Sequence, residues 1–164
     1  MSYTELYAVN KKGEVEFYDE VKNSWAGGMH VWNTLNEKYS FNDSMFTQFK
    51  RTWGAFNKGV YEKYEDVMLG SSFDNCVIKK EDFDKMIAAM NQYLKENPNS
   101  NYDEQIKIIE TMKNDEEVFG LAWCQTSVAN DAWDYDYDEE KEEVIPYNIN
   151  KSDKHWFLFE ELED

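Results

Sequence analysis

From position 118 to 125 the chain reads Val-Phe-Gly-Leu-Ala-Trp-Cys-Gln, apolar on both parities of an extended strand. Such a strand must be covered on both faces, which predicts a place in the middle of a sheet. Segments 6–10 and 14–21 read as two further strands; in the second, Val15 and Phe17 alternate with Glu14, Glu16 and Tyr18. The Lys11-Lys12-Gly13 step between them predicts a hairpin. The closing run Trp156-Phe157-Leu158-Phe159 predicts a last strand over 156–160, and Cys76-Val77-Ile78 suits a short one.

Other stretches repeat at three and four residues. Val31, Trp32, Leu35 and Tyr39 predict a helix over 28–39, led in by Ser24, Trp25 and Gly27-Gly28. Met45, Phe46, Phe49, Trp53 and Phe56 predict one over 45–56, started at Asn42 to Ser44 and ended by Gly59. Tyr61, Tyr64 and Met68 suit a short helix before Gly70-Ser71-Ser72. Phe83, Met86, Ile87, Met90 and Leu94 form the apolar stripe of a helix over 82–95, stopped at Asn97-Pro98. Ile106, Ile109 and Met112 give the last, over 102–113. Strands and helices in this order predict an α+β fold, with an antiparallel or mixed sheet of about four to five strands packed against several helices. No repeat and no Pro/Gly/Ser linker divides residues 1–164, so one domain is expected, with a long acidic loop at 129–153.

Composition supports a folded core. Mean hydropathy is low at -0.82, yet 16% of the residues are aromatic, six of them Trp. A chain of 164 residues buries enough surface to fold without disulfides, and Cys76 and Cys124 stand in no C-x-x-C context. Two buried, reduced thiols are expected. The N-terminal residues lack a signal-peptide pattern and no apolar stretch reaches membrane-spanning length, so the expected location is cytoplasmic with no membrane partner.

The net charge of -17 is concentrated in the C-terminal half: residues 1–80 hold 11 acids and 10 bases, whereas residues 131–164 hold 13 acids and 3 bases. Nucleic-acid binders carry basic stripes that displace counterions, and this surface repels a polyanion. Direct nucleic-acid binding is therefore not expected.

Candidate chemistry is sparse. Asp134, Asp136 and Asp138 alternate like the first ligands of a calcium loop, but the sixth and twelfth positions hold Glu139 and Ile145 instead of Gly and Glu. No metal or cofactor is expected. A Cys124 nucleophile has only His30 and His155 as conceivable bases, both in apolar contexts, and a negative field disfavours a thiolate. Ser127 lacks the G-x-S-x-G elbow, and neither Gly27-Gly28 nor Gly70-Ser71-Ser72 makes a phosphate loop. No catalytic residue is assigned.

What stands out is the tract 131–143, with eight acids to one base and aromatic residues inside it. Rings beside carboxylates are the residue types that anchor interfaces, the rings for affinity and the charges for encounter rate. The expected partner-binding face is Trp133, Asp134, Tyr135, Asp136, Tyr137, Asp138, Glu139 and Glu140, with Trp133 and Tyr135 as anchors for a basic protein surface. Rings that pin an acidic loop to its own core produce the same sequence. In charge and size the chain resembles small phage-encoded DNA mimics and the acidic immunity proteins that neutralise toxin nucleases. No motif carries that resemblance, and no residue role follows from it. It implies an inhibitor that occupies a nucleic-acid-binding surface. The alternative is a small enzyme or ligand-binding domain with a pocket near 123–133, built from Trp123, Gln125, Thr126 and Ser127 and walled by Trp123 or Trp133.

Overall fold

A computed structural model of the protein describes residues 2–23, 28–126 and 133–162, with the backbone alone at 28, 29 and 134–136. The strands are β1 (Tyr3–Val9), β2 (Val15–Lys22), β3 (Cys76–Lys79), β4 (Gly120–Gln125), β5 (Asp134–Asp138), β6 (Glu143–Pro146) and β7 (Trp156–Phe157). Five of them form a mixed sheet in the order β2-β1-β4-β3-β7, antiparallel except for the β3–β7 pair; β5 and β6 make a separate antiparallel hairpin. The fold is α+β.

β4 lies mid-sheet, as its unbroken apolar run requires. Leu121 and Trp123 enter a core shared with Leu6, Ile78 and the helices, while Ala122 and Cys124 enter a second core on the opposite face with Val9 and Val77. Strand alternation alone produces this division. β2 would break it, because Val15 and Val21 share a parity yet belong to different cores. A bulge resolves the conflict: Leu6 pairs with Asp19 and Tyr7 with Phe17, so Tyr18 is the extra residue that reverses the facing of the strand.

The helices are α1 (Gly28–Lys38), α2 (Lys50–Gly54), α3 (Lys63–Ser71), α4 (Phe83–Glu96), α5 (Tyr102–Lys113) and α6 (Leu158–Glu161). α4 buries Phe83, Met86, Ile87 and Met90, and α5 buries Ile109 and Met112, which are the stripes the spacing defines. Trp25 and Gly27, the expected lead into α1, lie outside the described residues. No helix among the described residues is long and apolar enough to cross a membrane.

Two expected elements are different. The helix expected over 45–56 is reduced to α2, because Gln48 and Phe49 adopt left-handed φ values of 56° and 53°. Asp43 supports this bend by accepting from the Thr52 N–H at 2.7 Å and the Thr52 hydroxyl at 2.9 Å, so the helix starts late and leaves Met45 and Phe46 in solvent. The expected strand over 156–160 is only two residues long before the chain turns into α6, which delivers Leu158 and Leu162 to the helical core.

Within 129–153, where a loop is expected, β5 and β6 pair across residues 139–142. Asp138 sets that turn: its Oδ1 accepts the N–H groups of Glu140 at 3.0 Å and Lys141 at 3.2 Å, and Glu142 completes it at φ 53°. After β6 the chain docks on the β1–β2 turn. Val15 N–H donates to Tyr147 O at 2.8 Å and Ile149 N–H to Gly13 O at 2.9 Å.

Candidate functional site

The acidic hairpin is held at its base and open at its tip. Trp133, expected to anchor a partner, is 1% exposed. Its Nε1–H donates to Trp123 O at 2.8 Å, its ring meets Tyr147 edge-on at 5.2 Å, and Tyr147 N–H donates to Trp133 O at 3.1 Å. A ring enclosed in the second core offers no area to another protein, so Trp133 is the internal pin and not a contact residue. Tyr135 lies in β5 with only its backbone described, as do Asp134 and Asp136.

Further out, the apolar surface faces solvent. Tyr137 is 54% and Val144 60% exposed, and the two sit directly opposite each other across the hairpin, hence on one face. Ile145 is also exposed. Around them stand Glu139, Glu140, Glu142 and Glu143, all exposed, with Lys141 as the single base of the turn. The ion pairs among the described residues, such as Lys38–Glu65 and Lys113–Asp84, lie elsewhere and leave these carboxylates unneutralised. Among the expected contacts, Tyr137, Glu139 and Glu140 are therefore presented, and Asp138 is used by the turn.

The expected pocket has a counterpart at the C-terminal end of β4. β4 pairs with β3 only as far as Ala122, and Asn75, at φ 60°, swings the chain away just before β3 begins. The gap this leaves is a cavity of about 380 Å³. Trp123 and Gln125 line it as expected, but Thr126 and Trp133 do not, and Ser127 lies outside the described residues. Thr126 instead ties β4 to β1: its Oγ1 accepts from Tyr3 N–H at 2.8 Å and its N–H donates to Tyr3 O at 3.0 Å. The other walls are Trp32, Trp53 and Phe73, with Ser72 and Asp74 among the polar groups. The sequence pattern assigned Trp32 and Trp53 to helix stripes and Ser71-Ser72 to a break; their meeting depends on tertiary packing. No local signal in the sequence marks Trp53 as a wall residue; only the structure shows it 38% exposed on the short α2.

The cavity walls are fixed before any ligand arrives. Trp32 Nε1–H donates to Ser72 Oγ at 2.8 Å, and Trp156 Nε1–H donates to Asp74 O at 2.9 Å. Trp123 Nε1–H donates to Gln105 Oε1 at 3.2 Å, and Gln105 is held in turn by Asn101 at 2.9 Å. Asn101 reaches Asn23 at 3.4 Å, and the buried Thr4 hydroxyl sits 2.5 Å from Asn23 Oδ1 and 2.9 Å from Gln125 Oε1. This polar chain runs through the helical core and ends on the cavity wall, with no buried side-chain N or O left without a partner among the described residues.

Titratable groups away from these two places are structural in their surroundings. Burial pushes the Cys76 thiol well above its ordinary range, while Cys124, buried in the second core, also reaches the lining of the cavity beside Trp123. Burial lowers His30, whose Nδ1 lies 2.6 Å from the Tyr93 hydroxyl; burial also lowers His155, against the opposing pull of Asp153. Tyr39, raised to about 12 by burial and by its hydrogen bond to Glu65, belongs to a cluster in which Glu65 Oε2 also takes Lys38 Nζ at 2.9 Å. No group of three or more His, Cys, Asp or Glu side chains among the described residues is arranged to hold a metal ion. Comparison with known protein families, curated proteins and solved structures finds no significant match to this chain.

Proposed function

We propose that this is a binding protein that engages a basic protein surface through the tip of the β5–β6 hairpin. The observation that carries the reading is the exposed Tyr137–Val144 pair inside a ring of unneutralised carboxylates, on a hairpin pinned at its base by Trp133 and Tyr147. The carboxylates supply long-range attraction and orientation, which act on the association rate. The apolar pair supplies area that leaves water on contact, which acts on the dissociation rate. A nucleic-acid-binding groove of a nuclease or regulator is the partner surface that suits this face, because carboxylates along a strand occupy sites made for phosphates. In that setting the protein acts as an inhibitor or DNA mimic.

The test is capture from the source cell at low salt, identification of the partner, and kinetics with two double variants. Glu139→Lys with Glu143→Lys is expected to lower the association rate about tenfold and flatten its salt dependence. Tyr137→Ser with Val144→Ser is expected to speed dissociation about tenfold with association nearly unchanged. Unchanged kinetics in both variants, with a partner otherwise bound, would remove the hairpin from the interface.

A further inference from the structure

We infer that the cavity at the end of β4 is a binding site for a small organic ammonium cation carrying an apolar or aromatic body. This goes beyond the hairpin reading and is independent of it. A volume of about 380 Å³ falls in the range of sites for drug-sized small molecules. Three of its rings stand at steep angles to one another: Trp32 and Trp53 at 73° with centroids 5.2 Å apart, Trp53 and Phe73 at 74° and 6.1 Å. Parallel walls would select a flat ligand by stacking. A corner of steeply inclined rings instead offers several π faces to a rounded group such as a methylated ammonium.

Charge points the same way. Among the described residues the lining contains no Lys, Arg or His, and its exposed ionisable group is Asp74, in a protein of net charge -17. Phosphate or carboxylate ligands meet only repulsion there, whereas a cation gains from the carboxylate, the rings and the field of the whole protein. Gln125 adds orientation. Its amide stands 2.9 Å from the Thr4 hydroxyl, which fixes a polar group on the cavity wall. Because Trp32, Trp123 and the 72–75 bend are already hydrogen-bonded in place, binding demands little reordering.

The experiment is a titration with 4-(hydroxymethyl)phenyltrimethylammonium, compared with its uncharged carbon isostere 4-tert-butylbenzyl alcohol, followed by NMR of the tryptophan indole N–H groups at physiological salt. The cation is expected to shift the signals of Trp32, Trp53 and Trp123 more than that of Trp133, whose ring lies in the second core. It should bind about tenfold tighter than the isostere. Asp74→Asn, at an exposed position whose backbone alone holds the fold, should reduce that preference about threefold without changing isostere binding. Equal or tighter binding of the isostere, shifts confined to other tryptophans, an unchanged preference in Asp74→Asn, or no shift at about 10 mM cation would each overturn the assignment.

Discussion

Replacing Trp133 with Ala tests whether this ring holds the acidic hairpin to the sheet. The indole is fully enclosed, touches Tyr147 edge-on at 5.2 Å and donates to the Trp123 carbonyl at 2.8 Å. Truncating a buried Trp to Ala costs about 3–5 kcal/mol through lost contacts and the void left behind. Trp133→Phe keeps most of the ring and loses the donor, so it should cost about 1–2 kcal/mol. Against a total stability of about 5–15 kcal/mol the first change is large, and with a urea slope of about 2 kcal/mol/M it moves the midpoint by about 2 M. Hydrogen exchange locates the damage. Tyr147 N–H donates to Trp133 O and Val15 N–H to Tyr147 O, so both should lose protection before the β1–β4 amides do. A loss below about 1 kcal/mol with protection unchanged at Val15 and Tyr147 would show that the ring is not the pin.

Glu65→Gln should destabilise by about 1–3 kcal/mol in urea unfolding, because Glu65 is 2% exposed and accepts from Lys38, Tyr39 and the Glu62 N–H at once. His30 is lowered from its ordinary 6.5 by burial, so it takes up a proton on unfolding; its contribution is complete above pH 6.5 and is lost as pH falls through the folded value. Relief of repulsion on the acidic surface acts in the opposite direction as carboxylates protonate, so the readout is the difference between wild type and His30→Gln, which should narrow in the variant's favour below pH 6.5. Gly70→Ala should cost about 1–3 kcal/mol by thermal or urea unfolding, since an added Cβ would clash with Leu158 Cδ1 and lie 3.0 Å from Phe56 Cε2.

Legibility in the sequence followed the range of the interaction responsible. The two-sided burial of β4 and the stripes of α4 and α5 could be read directly, because a strand or helix period repeats within a few residues. The segment 45–56 misled because its apolar spacing fits a helix while the decisive contact, Asp43 to Thr52, joins two ends across a bend. Trp133 had two sequence readings, partner anchor or internal pin, and only the fold places Trp123 O beside its N–H. The cavity could be half read: Trp123 and Gln125 announced themselves at the end of a strand, but Trp32, Trp53 and Phe73 arrive from helices and a bend that local pattern cannot bring together. β5 and β6 were hidden by charge, since alternating acids depress every strand signal although Asp138 supplies the turn chemistry.

The strand order also governs how the protein behaves in the company of its own copies. The segment most able to pair with another chain, the apolar run through β4, is enclosed between β1 and β3. The outer strands present poor templates: β7 is two residues long, and β2 carries exposed Glu16, Asp19 and Glu20 and is kinked at Tyr18. An incoming strand would have to match that kink and bring basic residues to it. Acidity on β2 therefore has a consequence separate from any partner: two copies meeting at this edge set Glu16, Asp19 and Glu20 against like charges, and would do so even in a variant whose hairpin tip had been stripped of charge.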